Sequence, residues 1–358
     1  MSGRNSDTVP MAGSFDTKYL DQNTVPENKI PNPDSVMKLH TYAFLAAIAA
    51  CGMASAQTTA YTTPVGYITS TIGPNASANT EGSATFVAAS LVRPASFAGA
   101  ATASPSGGSV ITFSGGVPAG LDATSMLEIS DGAQEGWWSA IVSSTATTVT
   151  ILDTFPADLA ANVKATVRKF TTIQDVFGDN SPGLAPYSTE APYDEIQFLK
   201  PDIQEVGVIV YAGGWLNLLT EASAASEIIY PGTAVKVIHR ANTSLSVVAS
   251  GEVKTTKTQV DVYPSDNWLC QPNPTGGTLG TLNLGPQLLA SDKLDMIETD
   301  GGAGQVVTTY VSSAGVMYNL LTEADATGVE VKEGAGYLVT RGEGAASIIT
   351  IPAQVVAP

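Results

Sequence analysis

Few residues in this chain could carry out catalysis once its N-terminal leader, described below, is set aside. His239 is then the one histidine and Cys270 the one cysteine. A Ser-His-Asp arrangement needs a histidine to move the proton. His239 alternates with apolar residues in Val235–Arg240, which predicts a solvent-facing position at the end of a strand. Cys270 has no neighbouring base and no CxxC partner, which favours a small buried residue. No Gly-x-Ser-x-Gly elbow occurs, and one His with one Cys falls short of a zinc site. We therefore expect no enzymatic activity and no catalytic residue.

Paired carboxylates are available for acid and base catalysis. Hydrolysis of a glycoside needs two of them facing across a cleft, about 5–10 Å apart. The candidates lie in two stretches of the chain: Asp194, Glu195, Asp202 and Glu205, and then Asp292, Asp295, Glu298 and Asp300. Their alternation with apolar residues is typical of an ordinary solvated strand face. An acidic-pair glycoside hydrolase is therefore the less favoured alternative.

Calcium is the best of the specific ligands, although a chain without any cofactor is the first expectation. Hard cations bind several carboxylate and loop carbonyl oxygens. Asp131, Asp179 and Asp300 each begin an Asp-Gly or Asp-Asn loop, and Asp300 is followed by two glycines. Asp-Gly is also a common turn dipeptide. The three residues are weak calcium candidates.

Exposed aromatic rings could bind sugars by stacking. Trp137 and Trp138 are adjacent, so on a strand they point to opposite faces and only one can lie in the core. The other ring is either covered by a neighbouring segment or open to a ligand. Trp137 and Trp138 are therefore the carbohydrate-binding candidates.

The composition limits the partners. The chain has 16 Lys and Arg against 33 Asp and Glu, a net charge of −17. Nucleic acid and anionic membrane surfaces attract basic patches, so we expect neither as a partner. Phosphate-loop and dinucleotide fingerprints do not occur, because the glycine-rich stretch 301–304 is followed by no helical pattern.

Residues 37–56 have the pattern of a bacterial secretory signal peptide. A short basic start at Met37 precedes a nine-residue apolar run, and Ala54-Ser55-Ala56 is a signal-peptidase site that leaves Gln57 as the first residue. The run is much shorter than the roughly 20 residues that span a bilayer, so we expect no membrane span. These features predict a secreted or cell-surface protein.

Two alternatives concern the same region. Ile48–Gly52 has the form of a lipobox, in which Cys51 would be lipidated. Residues 1–36 are polar and precede the signal peptide, so we expect them to be disordered or to reflect a start site assigned upstream of Met37.

The second half of the chain contains an internal repeat. Ala212–His239 returns as Ala314–Arg341 without a gap, 102 residues later, with 11 identities in 28 positions. Upstream the offset becomes 98, where Asp194 matches Asp292. The repeat places His239 and Arg341 at the same position, and we expect both to face solvent. Trp215 also matches Met317, and we expect Trp215 in the core.

The fold class predicted from these patterns is all-β. Residues 57–82 should form a strand or an arm, residues 83–178 a small β-barrel or sandwich, and residues 179–192 a linker. Residues 193–358 should form a duplicated domain with a pseudo-two-fold axis, in which copy A (193–253) and copy B (291–355) are each a five-strand antiparallel meander. The crossover, residues 254–290, joins the copies. Only Thr171 to Gly178 has a clear local helical pattern.

Three motifs in order resemble a large paralogous family of exported proteins in Verrucomicrobia-like bacteria. They are Tyr61–Thr69 after the leader, Gly251–Val253 at the end of copy A, and Gly334–Arg341 near the C-terminus. The resemblance covers nearly all of residues 57–358. It implies secretion and a β-rich body, and it implies no catalytic residues. That family usually has Trp-Arg where this chain has Trp-Leu and Met-Tyr.

These observations together predict an exported structural or adhesion-type protein. Its partners would be other cell-surface proteins or glycans, or further copies of itself, and the arm before residue 73 could add to the sheet of a neighbour. A carbohydrate-binding module is the alternative.

Overall fold

The structure is a computed structural model that describes residues 65–75, 81–181, 183–200, 203–299, 305–342 and 344–355. The predicted leader, Cys51 and residues 57–64 of the predicted arm lie outside these residues. The described chain is all-β, as predicted, and its sheets are antiparallel. Within the described residues no helix is long and apolar enough to cross a membrane.

The strands divide into three groups along the chain. The first strands are β1 (Val65–Ile72), β2 (Ser83–Ala88) and β3 (Leu91–Val92). Six strands follow: β4 (Ala95–Ala100), β5 (Val110–Thr112), β6 (Ser125–Ile129), β7 (Trp138–Ser144), β8 (Thr148–Ile151) and β9 (Lys164–Lys169). Next come β10 (Thr171–Thr172), helix α1 (Ile173–Phe177), β11 (Glu195–Lys200), β12 (Glu205–Tyr211), β13 (Trp215–Asn217), β14 (Ile228–Ile229), β15 (Ala234–His239) and β16 (Leu245–Val253).

The last nine strands complete the chain. They are β17 (Thr258–Val262), β18 (Ser265–Cys270), β19 (Gly277–Thr278), β20 (Lys293–Thr299), β21 (Gln305–Ser313), β22 (Val316–Asn319), β23 (Glu330–Val331), β24 (Gly336–Arg341) and β25 (Ser347–Ile351). We call β1–β3 with β10–β16 the first unit, β4–β9 the inserted sheet, and β17–β25 the second unit.

The two units contain five-stranded sheets of the same strand order. The order is β13-β12-β11-β15-β2 in the first unit and β22-β21-β20-β24-β18 in the second. The pairing register also agrees, because His239 lies opposite Ser83 and Arg341 lies opposite Ser265. Each sheet is a three-strand meander with two further strands beside its first strand, which differs from the predicted five-strand meander.

The predicted crossover supplies strands to the second unit. β18 fills the fifth place in the sheet, and β17 pairs with β25 just as β1 pairs with β16. The predicted arm therefore corresponds to the first part of the crossover: both contribute the opening strands of a unit. Local alternation cannot reveal this, since the pairing partners are up to about 180 residues away.

The inserted sheet interrupts the first unit. Its order is β4-β9-β6-β7-β8-β5, and the ends of its edge strands meet at a bridge between Ala101 and Phe113. The described residues form no closed barrel. The sheets thus divide the chain differently from the predicted boundaries, because β2 and α1, within residues 83–178, belong to the first unit. In the second unit, residues 271–276 lie between β18 and β19, where the first unit has β3 and the inserted sheet between β2 and β10.

Each part has its own apolar core. Strand alternation produces it, as in β24, where Tyr337, Val339 and Arg341 point inward. The two units meet through Phe86 and Trp268, which hold equivalent positions and lie 5.5 Å apart, ring centroid to ring centroid. Full burial of a side chain of this size contributes roughly 1.5–3 kcal/mol.

Helix α1 lies within the predicted helical stretch. Thr172 caps its N-terminus in a capping box with Asp175, and Gly178 ends it with a positive φ of 71°. The helix buries Ile173, Val176 and Phe177 in the core of the first unit.

Candidate functional site

His239 lies in the core of the first unit and not on its surface. The side chain is 2% exposed, so the predicted solvent-facing position is wrong. Its Nδ1 is 2.8 Å from Asp194 Oδ2, and its Nε2 is 2.7 Å from the carbonyl oxygen of Thr243. Both neighbours accept hydrogen bonds, so the arrangement favours the doubly protonated imidazolium.

Asp194 is buried with His239 and accepts further hydrogen bonds. The backbone N–H of Ala185 donates to Oδ2 at 2.8 Å and that of Arg240 to Oδ1 at 2.7 Å. Burial by itself raises the pKa of Asp194, but the hydrogen bonds from His239 and these two amides outweigh it and hold the pKa below its usual value. Burial likewise lowers the pKa of His239, yet the hydrogen bond and charge of Asp194 raise it above its usual value.

The second unit has an arginine at the position of His239. Arg341 is 2% exposed, and its Nε and Nη2 donate to Asp292 Oδ2 at 3.1 and 3.0 Å. Its Nη1 also donates to Ser347 Oγ. The predicted solvent-facing position is wrong here too. The sequence signal was the repeat itself, which matches Asp194 with Asp292 and His239 with Arg341.

The two buried pairs are structural links. A general base must reach the proton that it abstracts from a substrate. Both ring nitrogens of His239 are instead engaged by protein groups inside the core, and Arg341 stays protonated in proteins. The geometry assigns each pair to holding the loop before β11 or β20 against the end of β15 or β24.

The other acidic-pair candidates are spread over separate contacts. Glu195 pairs with Arg240 at 2.8 Å, Glu205 with Lys200 at 3.9 Å, and Asp295 accepts from Thr309 Oγ1 at 2.6 Å. Asp202, Asp300 and the side chain of Glu298 lie outside the part of the chain that the structure describes. The described members thus belong to different local contacts.

One carboxylate pair was missed by the sequence reasoning. Burial raises the pKa of Asp261, in β17, and the charge of Asp153, beyond the end of β8, raises it further. Asp153 also accepts a hydrogen bond from Ser139 Oγ at 2.8 Å. No local signal could have paired them, because Asp153 lies between β8 and β9 of the inserted sheet and Asp261 lies in the second unit.

The calcium candidates occupy ordinary turns. Asp131 Oδ1 accepts the backbone N–H of Lys164 at 2.7 Å, and Asp179 accepts from the amide of Gln174. Asp300 lies outside the described residues. Across the described ranges, no group of three or more His, Cys, Asp or Glu is placed to hold a metal.

Both carbohydrate candidates pack against protein. Trp137 is buried in the inserted sheet beside Phe155, with ring centroids 5.1 Å apart. Trp138 is half-buried, stacks on Tyr230 at 5.8 Å and 19°, and donates its indole N–H to Gln259 at 3.1 Å. The ring therefore joins the inserted sheet to both units.

Trp215 and Cys270 are buried, as predicted, and Met317, the counterpart of Trp215, is buried too. Burial raises the pKa of the Cys270 thiol to about 12, so the thiolate needed for reactivity is scarce at neutral pH.

A cavity among the described residues lies between the inserted sheet and the first unit. It has a volume of about 710 Å³, and its wall includes Arg93, Lys169, Phe170, Gln174 and Asp175. Arg93 pairs with Asp175 across it. The lining offers both donors and acceptors of hydrogen bonds.

Two equivalent loops present exposed leucines. In each Asn-Leu-Leu-Thr-Glu-Ala loop, the asparagine Oδ1 accepts two backbone N–H groups, at 3.0 Å for Asn217 and at 2.9 Å for Asn319. The second leucine of the loop is left outside: Leu219 is 87% exposed and Leu321 is 91% exposed. We call these two loops the leucine loops. The hydrogen bonds to the asparagine account for the shape of each loop. The packing of the loop does not account for the exposure of the leucine side chains.

No protein-family model matches this chain, and no curated protein matches it either.

Proposed function

We propose that this chain is an exported, cell-surface or extracellular protein that acts by contact with other surface molecules and has no catalytic activity of its own. The observation that carries the proposal is the pair of leucine loops. Each holds an apolar side chain in water on a backbone ordered by its own hydrogen bonds, so binding would cost little ordering entropy. An aliphatic side chain that fills a pocket of the partner serves as an anchor of a binding interface.

The charges beside the leucines favour a particular partner. Glu221 and Glu323 follow the leucines by two residues, and the whole chain carries a net charge of −17. A partner with an apolar pocket bordered by Lys or Arg would complement both features. Surface proteins with such pockets are the partners that we propose.

The experiment compares retention of labelled protein on cells. We expect Leu219→Ser and Leu321→Ser each to reduce retention and the double substitution to reduce it at least about tenfold, which corresponds to about 1.4 kcal/mol. Leu152→Ser is the matched control, because Leu152 is 68% exposed on the inserted sheet. Equal retention of the double variant and the wild-type protein would refute the assignment to these loops.

Export belongs to the same proposal and is tested separately. The pattern of residues 37–56 supports cleavage after Ala56. N-terminal sequencing of the secreted protein should begin at Gln57, whereas lipidation would begin it at Cys51. Protein retained inside the cell with an intact Met37 region would remove export from the proposal.

The proposal also includes a duplication of one unit. We infer that the two units descend from one ancestral unit, and that the inserted sheet entered the first. The shared strand order, the equal pairing registers and the 11 identities in 28 positions support this. The resemblance to an exported, β-rich paralogous family is consistent with the same proposal.

Carbohydrate binding is the second candidate, and the 710 Å³ cavity favours it. Charged and amide groups beside the ring of Phe170 are suited to sugar hydroxyls. A glycan array with the wild-type protein and Gln174→Ala tests this idea. Binding that is lost in Gln174→Ala and kept in Trp138→Ala would place the ligand in the cavity, and an array without any hit would end the candidate.

A further inference from the structure

Among the described residues, the outer edge of β1 has no backbone partner, whereas the equivalent edge of β17 has one. Gln259 lies opposite Thr350 and Thr69 lies opposite Val248, so Thr69 is the counterpart of Gln259. The backbone N–H of Gln259 donates outward to the Gly136 carbonyl oxygen of the inserted sheet at 3.1 Å. Within the described ranges, β1 pairs only with β16, and no backbone group bonds to its other edge.

Strand β1 has none of the features that usually protect an edge. Its eight residues include no charge and no proline, and it pairs with β16 without a bulge. An edge of this kind offers its backbone to another strand. A cavity of about 430 Å³ that Thr69–Thr71 line also has Glu330, Lys332 and Glu333 of the second unit in its wall.

We propose that the outer edge of β1 pairs antiparallel with β1 of a second copy of this chain, across a two-fold axis. A two-fold interface uses the same patch on both copies. Since β1 is uncharged, this pairing sets no like charges opposite each other in a protein of net charge −17.

The side chains of β1 suit the same pairing. Val65, Tyr67, Thr69 and Thr71 lie on one exposed face of the strand. Antiparallel pairing brings these residues of the two copies side by side, where aromatic and β-branched side chains stabilise cross-strand contacts. Tyr67, 77% exposed in the single chain, becomes partly covered. The inference goes beyond the proposed function, because the leucine loops do not take part.

The experiment measures the mass of the full chain by analytical ultracentrifugation over a range of concentrations. We expect a dimer for the wild-type protein and a dissociation constant at least about tenfold weaker for Thr69→Pro. The counterpart Gln259 turns its N–H outward, so proline at Thr69 removes an outward donor and leaves the pairing with β16 intact. An unchanged melting temperature for Thr69→Pro would show this.

A second variant keeps the test decisive if proline lowers the melting temperature. Tyr67→Lys places like charges side by side across the two-fold axis and should also give monomers, whereas Tyr187→Lys, at another exposed tyrosine, should stay dimeric. A monomeric wild-type protein would overturn the inference, and so would a dimer that survives Tyr67→Lys. Loss of cell retention with an intact dimer would count against the leucine loops alone, so the two failures are distinguishable.

Discussion

The same core position holds an imidazole in one unit and a guanidinium in the other. In both units a buried carboxylate before the first meander strand, β11 or β20, binds a cationic side chain at the end of the strand paired with it, β15 or β24. The pairs are Asp194 with His239 and Asp292 with Arg341. The two units have the same carboxylate and different cationic partners. This difference indicates that the position requires a charge-assisted hydrogen bond and tolerates different donors, one of which titrates near neutral pH and one of which does not.

The two carboxylates also differ in how fully they are satisfied. Both oxygens of Asp194 accept hydrogen bonds, two of them from backbone amides. Asp292 Oδ2 accepts from Arg341 and from the backbone of Leu289, while Oδ1 has no hydrogen-bond partner within the described residues. The second unit thus depends more on the arginine, and the first unit more on the backbone.

Removal of the buried carboxylate should give the largest difference between the two units in the loss of stability. Asp292→Ala leaves the charge of Arg341 buried without its partner, and we expect a loss of about 3–5 kcal/mol in the free energy of unfolding. Asp194→Ala should cost about 1–3 kcal/mol, because His239 can release its proton and become neutral. Urea denaturation measures both, with the partly exposed Asp295→Ala as the control. Equal losses at the two sites would contradict the expected difference between the units.

Two equivalent glycines provide a second, smaller contrast. Gly232 and Gly334 have positive φ angles of 78° and 69°, and each packs against the first strand of the other unit. Alanine at Gly232 would meet the methyl group of Val260, which the strand holds in place, whereas at Gly334 it would first meet the smaller Ser70. We expect about 2–4 kcal/mol for Gly232→Ala and less for Gly334→Ala.

The control for this pair is Gly107→Ala. Gly107 has a φ of 77° and no atom within 4 Å of an added Cβ, so its substitution measures the backbone strain alone, about 1 kcal/mol. Thermal unfolding ranks the three variants. A cost for Gly232→Ala no greater than for Gly107→Ala would mean that the contact between the units does not constrain this position.

The smallest expected effect is a pH dependence confined to the first unit. The raised pKa of His239 stabilises the fold below the usual value of 6.5, and this contribution is lost as the pH rises through the raised pKa. The lowered pKa of Asp194 stabilises above the usual value of 3.8 and is lost as the pH falls through the lowered pKa. The link is therefore strongest between about pH 4 and pH 6.5. Arg341 stays protonated over this range.

A glutamine substitution measures this dependence. We expect the stability difference between the wild-type protein and His239→Gln to shrink from pH 5.5 to pH 8.5, since glutamine does not titrate. Subtraction of the variant removes the pH dependence of other groups. A difference that stays constant with pH would show that His239 does not change its charge in the folded chain.

The strands of the second unit illustrate how much could be predicted. In copy B, turn residues and alternation predict strands at Lys293–Glu298, Gln305–Val311, Val316–Leu321, Gly336–Arg341 and Ala346–Ile351. The fourth coincides with β24, and the other four overlap β20, β21, β22 and β25. Turn residues and alternation are local signals, and they suffice for this. The prediction failed for β25, which leaves the five-stranded sheet to pair with β17, because partner choice depends on contacts between distant segments.

The candidate site shows the same limit of prediction from sequence for single residues. From the sequence, the repeat placed His239 and Arg341 at one position and matched Trp215 with Met317, and Trp215 was predicted in the core. It could not tell that the first two face inward, since a polar residue at the end of an alternating strand fits either face.

Composition, turn chemistry and alternation along the chain therefore establish an acidic, all-β protein with two matching stretches, because these properties depend on neighbouring residues. The place of β17 and β18 in the second unit, the burial of the two carboxylate pairs and the open edge of β1 depend on which strands meet. That outcome depends on hydrogen bonds and packing between segments far apart in the sequence, and only the folded chain contains them.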